Sequence, residues 1–268
     1  MNPFAAIAAG YAKHRPPVHG QILRRALANW PAVIRCAVDV GCGSGISTLA
    51  LAGFAQERIG VEPAEPMVEA ARAVDPSARF IVGSAEAIPL PDGTADLITA
   101  AGALNYADLS RFFPEADRLL SEGGALLVYD FSTGNRSGSD WLARFVERYP
   151  WAPNEARHLN PAILANEAAG FALERSEEFT IRLPLTGEFY LNYMLTETNV
   201  AHAVRQGQRL DEIRAWCAET LWTDPEADIL FPGYYAQFIR GLRDPGCNAS
   251  TATSPDPEFG ADRPRFSP

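Results

Sequence analysis

Between residues 35 and 131 the chain alternates short, almost continuous apolar runs with longer segments whose apolar positions recur every three or four residues. The runs 37-AVDV-40, 58-RIGVE-62, 79-RFIVG-83, 95-ADLITAAG-102 and 124-GALLVYDF-131 predict strands. The segments between them, 46-ISTLALAGF-54, 64-AEPMVEAARAV-74 and 107-ADLSRFFPEADRLLSE-122, predict helices, the last stopped by the glycine pair at 123–124. Strands without a polar face, alternating with helices, predict a parallel sheet covered on both sides.

After residue 131 the pattern loosens. The stretch 132-STGNRSGSD-140 reads as a loop, and 161-PAILANEAAGF-171 as a helix stopped at Gly170. Two further strands, 171–183 and 228–240, flank an insert at 187–222 that reads as two helices, 187–207 and 208–222. The last stretch, 244–268, is rich in Pro, Ser, Asp and Gly and is expected to be a disordered tail. The expected fold is α/β, a doubly wound, mostly parallel seven-stranded sheet with a helical lid insert. The chain divides into N-terminal lid helices over 1–30, one α/β domain over 31–243 and the tail.

Composition narrows the partners. A chain of 268 residues, 47% hydrophobic and 21% charged, can pack one α/β domain. Its net charge of -10, with no cluster of Lys and Arg, argues against nucleic acid and anionic membrane surfaces as partners. No run approaches the roughly 20 apolar residues of a membrane span. The N-terminal 1-MNPFAAIAAGYAKHRPP-17 lacks the basic start of a secretory signal and is read as mature protein. Cys36, Cys42, Cys217 and Cys247 fall in no metal-ligand spacing, so no metal is expected, and reduced thiols suit a cytoplasmic protein.

Candidate chemistry starts at 37-AVDVGCGSG-45. A strand that runs into glycines ahead of a helix lets a ligand approach the backbone, as in many nucleotide sites. The spacing of Gly41, Gly43 and Gly45 is GxGxG, and Ile46 stands where a dinucleotide fold wants its third glycine. Asp39 would repel a pyrophosphate but would hold a cationic ligand, directly or through water, such as S-adenosyl-L-methionine with its ammonium and sulfonium groups. Glu62 ends the second strand 17 positions after Gly45, near the spacing of about 20 at which an acidic side chain grips ribose hydroxyls. Taken singly, Asp39 could merely cap a turn and Glu62 could be a solvated strand end. The loop 83-GSAEAIPLPDGTADLI-98 could cover the adenine, with Ala85 and Ile88 against the ring and Ser84 or a backbone amide near Ala85 and Glu86 at its edge. After the fourth strand, Ala101, Gly102 and Ala103 leave room for a ligand, and Asn105 and Tyr106 sit where a methyl donor would point.

The segments AVDVGCGSG, IGVEPAEPMVEAAR, GSAEAIPLPDGTADLI and EADRLLSEGGALLVYDF resemble, in order, the successive motifs of class I S-adenosylmethionine-dependent methyltransferases over roughly residues 9 to 131. The most similar group contains small-molecule enzymes such as the ubiquinone and trans-aconitate methyltransferases. The resemblance implies methyl transfer to a small-molecule acceptor with S-adenosyl-L-homocysteine as product. It implies Gly41, Gly43 and Gly45 along the methionine part, Asp39 near its amino group and Glu62 on the ribose hydroxyls. Ser84 departs from the family, many of whose members carry Asp there. The segment 11-YAKHRP-16 resembles the family's lid, which makes Tyr11 and Arg15 candidates. Members that methylate amino groups of adenine or glutamine carry Asn-Pro-Pro-aromatic after the fourth strand, where this chain has 102-GALNY-106.

Methyl transfer from a sulfonium is an in-line displacement, and a base is needed only if the acceptor loses a proton. Phe189, Tyr190, Tyr193, Met194, Trp216 and Trp222 of the insert would make an aromatic roof over the acceptor, although aromatic stripes at helical spacing are usually core. His14, in the lid segment, leads the four histidines as a base, with no catalytic residue singled out. A nicotinamide-dependent oxidoreductase and a non-catalytic S-adenosylmethionine-binding module remain as rival readings.

Overall fold

The computed structural model describes residues 14–30, 33–152 and 157–240. Tyr11 and the rest of 1–13, with the 244–268 stretch read as a tail, lie outside the described residues.

The five apolar runs form the parallel half of one sheet. Strand β1 (Ile34–Val40) lies between β2 (Ala55–Glu62) and β4 (Ala95–Ala101), with β3 (Arg79–Val82) outside β2 and β5 (Leu120–Phe131) outside β4. Five of the seven β1 residues are consecutive and buried, as a strand covered by helices on both faces requires. The two-residue strand β6 (Asn135–Arg136) and the long hairpin-like pair β7 (Phe171–Thr186) and β8 (Glu226–Arg240) complete the sheet, all pairing antiparallel through β8. The order is therefore β3-β2-β1-β4-β5-β8-β6, with β7 also paired to β8: eight strands, of which β6 has two residues.

Helices α1 (Val18–Ala26), α2 (Ile46–Ala50), α3 (Glu65–Val74), α4 (Leu109–Leu119), α5 (Trp141–Arg148) and α6 (Pro161–Glu167) cover it. Asp108 caps α4 by accepting from the Ser110 amide, and Asn160 caps α6 by accepting from the Ile163 amide. One apolar cluster gathers α1, α5 and the insert on one side of the sheet, and a second gathers α4 and α6 on the other.

Three boundaries differ from the sequence pattern. Helix α4 ends at Leu119 and does not reach the glycine pair, because Leu119 and Leu120 are both buried and Leu120 already pairs with Ala95 in the sheet. The glycines lie inside β5 near a register shift, where a Cβ at Gly124 would stand 3.0 Å from the Ala95 carbonyl oxygen. The helix expected over 46–54 shortens to α2 and a 3-10 turn at Leu51–Gly53. The insert contains three helices where two are expected: α7 (Gly187–Met194), α8 (Thr198–Arg205) and α9 (Leu210–Thr220). The unexpected break precedes α8 at Glu197, whose side chain turns inward to an ion pair.

Among the described residues, no helix is long and apolar enough to cross a membrane and no cluster of His, Cys, Asp or Glu suits a metal ion.

Candidate functional site

The carboxyl ends of β1, β2, β4 and β5 converge on the glycine turn. Gly41, Gly43 and Gly45 all adopt left-handed backbone conformations, with φ of 68, 54 and 86°. At Gly41 this is a double requirement, since a Cβ there would lie 2.3 Å from the Cβ of Ala103 on the neighbouring strand's exit loop. The amides of Gly41 and Cys42 both reach the carbonyl of Val61, at 2.8 and 3.1 Å, which pins the turn to β2.

Asp39 lies beneath this turn and not on the surface of a cavity. It is fully buried, and its carboxylate accepts hydrogen bonds from Ser47 Oγ at 2.6 Å, Thr48 Oγ1 at 2.7 Å and Thr99 Oγ1 at 2.7 Å. Burial pushes its carboxyl above the usual range, and the three hydroxyl bonds oppose that shift. Three hydroxyls occupy the carboxylate expected near a ligand's amino group, and they lock the first turn of α2 to β4. Asp39 reaches the cavity above it through Ser47. Glu62 lines neither of the two cavities described below but is bonded to the turn, with Oε2 accepting from the Gly43 amide at 3.2 Å and Oε1 from the Ala64 amide at 3.1 Å. Each oxygen keeps a further acceptor position.

A cavity of about 330 Å³ lies over the turn. Gly41, Gly43, Ser47, Met67, Ala101 and Gly102 form its floor and near wall. Ser44, 2% exposed and in the wall, has a hydroxyl with no hydrogen-bond partner among the described residues. On the opposite wall, Arg15 donates to Glu197 Oε1 at 3.0 Å, Thr133 donates to Glu197 Oε2 at 3.2 Å, and the Arg15 guanidinium lies 5.3 Å from the centre of the Tyr193 ring. His19 also lines the cavity, its Nδ1 3.0 Å from the Tyr129 hydroxyl and its ring edge-on to Tyr129 and Phe131. Burial, reinforced by the charge of Arg15, pulls the His19 ring down to about 4, so it is neutral at physiological pH.

A second, larger cavity of about 1130 Å³ adjoins the first. Asn105, Tyr106, Asp130, Phe131 and Thr133 line both. The rest of its wall includes Trp151, Arg157, His158, Glu178, Phe179 and Tyr234. Of the six insert side chains expected as a roof, Tyr193 lines the smaller cavity and the other five line neither. Tyr190 is fully buried, donates to the Gly134 carbonyl at 2.7 Å and packs on Trp141 and Trp222. Trp216 stacks on Trp141, and Met194 is core. Phe189 meets His14, ring to ring, with neither lining either of these two cavities. Ser84, Ala85 and Glu86 form a tight turn outside both cavities, where Glu86 accepts from the Asp108 amide at 2.9 Å.

The geometry therefore brings together the glycine turn, Arg15, Ala101, Asn105, Tyr106 and Tyr193, with Glu62 bonded to the turn at its edge. It leaves Tyr190 and His14 away from both cavities. Asp130 and Glu197 escape the sequence reading. Asp130 carried a signal, a carboxylate closing the fifth predicted strand, whereas Glu197 sits in a helical pattern that gives no sign of inward orientation.

The residues present suit an adenosyl cation. The left-handed glycines open the cavity floor, Ser44 offers an unused buried hydroxyl, Glu62 offers free acceptor positions, and Asp130 and Glu197 place carboxylates in the walls.

Residues 38–128 match the methyltransferase domain family. A Dictyostelium discoideum protein assigned as a methyltransferase is 33% identical over 130 residues, covering 48% of this chain and 49% of its own. A ubiquinone/menaquinone biosynthesis C-methyltransferase of Marinomonas is 30% identical, covering 51% of this chain and 56% of its own. The chain thus spans about half the length of the curated relatives it matches. A solved structure from Anaeromyxobacter dehalogenans, assigned as a type II methyltransferase, aligns over 83% of this chain and 95% of its own, with 25% identity and a TM-score of 0.64.

Proposed function

We propose that this chain, whose residues 38–128 form a class I S-adenosylmethionine-dependent methyltransferase domain, transfers a methyl group from S-adenosylmethionine to a small organic acceptor and releases S-adenosylhomocysteine. The observation that carries the reading is the junction of two cavities over the glycine turn, one bounded by the turn and Arg15, the other larger and lined by aromatic and polar side chains.

Gly41, Gly43 and Gly45 would let the methionine part approach the backbone, Glu62 would take the ribose hydroxyls, and Ser44 and Ala101 would complete the donor wall. Arg15 would close it from the N-terminal side, held there by Glu197. Asp39 acts at one remove, by fixing Ser47 and the turn. Bound S-adenosylmethionine supplies an activated methyl group on a positive sulfur. The chain's own contribution is to align an acceptor with it and keep water away, which is most of what an in-line transfer needs. His19, held neutral, adds no positive charge to a wall that faces a cation. The acidic surface and the free, buried Cys36, Cys42 and Cys217 suit a cytoplasmic enzyme acting on small molecules.

The test is calorimetric titration of the purified chain with S-adenosylhomocysteine, NAD and NADP in parallel. Micromolar binding of the first alone is expected. Dinucleotide binding, or no binding at all, would overturn the reading.

A further inference from the structure

Among the described residues, the seam between the two cavities holds one carboxylate, that of Asp130, at the carboxyl end of β5 and directly opposite Tyr234 on β8. A donor in the smaller cavity and an acceptor in the larger one can meet only along this seam. The Asp130 side chain is oriented from two sides. Its Oδ2 accepts from Asn105 Nδ2 at 2.9 Å and its Oδ1 from the Phe131 amide at 2.8 Å, which leaves an acceptor position on each oxygen. Gly102 makes room for it, since a Cβ at that left-handed residue would lie 2.9 Å from Asp130 Oδ1. Both hydrogen bonds come from neutral amides, and among the described residues no Lys or Arg pairs with it. Burial pushes its carboxyl above the usual range, against the pull of Asn105, the Phe131 amide and the charge of His158.

The ionisable groups around it do not duplicate this behaviour. Tyr129 on the same strand and Tyr234 across from it have hydroxyls pushed up by burial, and His19 is pulled down to about 4. The Arg15 and Glu197 charges of the smaller cavity offset each other in an ion pair. Arg157, in the larger cavity, is paired with Glu167, while Tyr106, Glu178 and His158 also face that space. Of these, His158 is the neighbour that acts on Asp130 and so requires its own control.

We infer that Asp130 is a catalytic residue of the transfer, taking the proton that a protic acceptor, a hydroxyl or amine group on an organic body, gives up as it receives the methyl group; this rests on the methyltransferase reading above. The acceptor's lone pair forms the new bond to carbon, the carbon–sulfur bond breaks with its electron pair left on sulfur, and the acceptor's proton passes to the carboxylate. A sulfonium, a neutral acceptor and a carboxylate become a thioether, a methylated acceptor and a carboxylic acid, so charge and atoms balance. The same carboxylate repels an anionic acceptor, which sets carboxylate nucleophiles outside the acceptor class.

Because S-adenosylmethionine is positive at sulfur and S-adenosylhomocysteine is neutral there, a carboxylate at the transfer point must distinguish them, and only while ionised. The experiment measures both affinities by calorimetry from the acid limit at which the chain stays folded up to neutral pH, in buffers of different ionisation enthalpy so that protons are counted. For the wild-type chain, preference for the charged ligand should grow about tenfold as the carboxylate ionises with rising pH, with proton release on its binding at the acid end. Asp130→Asn should bind S-adenosylhomocysteine normally and lose both effects, while His158→Gln keeps them. Asn105→Ala, which removes a bond to the ionised form, should move the midpoint to higher pH; this second variant decides the matter if Asp130→Asn fails to fold. Wild-type preference at every pH in Asp130→Asn, or an unmoved midpoint in Asn105→Ala, would overturn the assignment with donor binding intact. Failure of the wild-type chain to bind either ligand would instead remove the methyltransferase reading beneath it.

Discussion

Arg15 and Glu197, 182 positions apart in the chain, form a part-buried ion pair with Arg15 Nη1 3.0 Å from Glu197 Oε1. The pair joins the segment before α1 to the insert at the wall of the smaller cavity, and Thr133, just beyond β5, donates to the free carboxylate oxygen. Breaking the pair from the Arg15 side strands the buried Glu197 charge, at a cost of up to about 3 kcal/mol. Arg15→Ala and Glu197→Ala should each lower stability by up to that amount. The double variant should lose less than the sum, with a coupling of about 1 to 3 kcal/mol in urea denaturation. Simple additivity would mean that the two side chains act independently.

Asp39 collects three hydroxyl donors on one buried carboxylate. Asp39→Ala leaves Ser47, Thr48 and Thr99 without their acceptor and should cost about 3 kcal/mol of stability. It should also weaken S-adenosylhomocysteine binding by about 1 to 3 kcal/mol, because the glycine turn loses its anchor. An unchanged denaturation midpoint would show that the buried network contributes nothing to the fold.

Glu62 receives the amides of Gly43 and Ala64 beside the glycine turn, and its side chain is only partly buried. Glu62→Ala should therefore differ from Asp39→Ala in kind. The thermal midpoint should fall little, whereas S-adenosylhomocysteine affinity should drop by about 1 to 3 kcal/mol, read from the same titration. Wild-type affinity in this variant would remove Glu62 from the donor site.

His19 gives the fold an acid sensitivity. Its folded pKa of about 4 lies below the ordinary 6.5, so between those two values the unfolded chain binds the extra proton. Stability from this group is whole above pH 6.5 and is lost as pH falls through the window, by about 2 to 3 kcal/mol at the acid end. His19→Asn, which can keep a partner for the Tyr129 hydroxyl, should flatten the stability profile between about pH 6.5 and pH 4. A slope as steep as that of the wild-type chain would assign the acid loss to other groups.

Much of the sheet was legible because its signal is local. The central parallel strands β1 and β4 are apolar runs buried on both faces, and each glycine of the turn carries its own backbone requirement. Errors arose where a neighbour outside the segment decides. Leu120 extends the α4 pattern in sequence but belongs to β5 because Ala95 is there to pair with it. Tyr190 and Tyr193 lie three apart on one short helix and carry the same pattern. Tyr193 reaches the Arg15 wall, while Tyr190 donates to the Gly134 carbonyl in the core.

The sequence by itself determined the alternation of strands and helices, the left-handed turn of Gly41, Gly43 and Gly45, and the placing of Asp39 and Glu62 within and at the ends of adjacent strands, because these depend on periodicity and on the steric freedom of single residues. Only the tertiary structure decided that Asp39 is spent on three hydroxyls, that Arg15 meets Glu197, and that Asp130 stands where two cavities join. Those outcomes depend on which distant segments the strand order brings side by side, and no local pattern encodes that proximity.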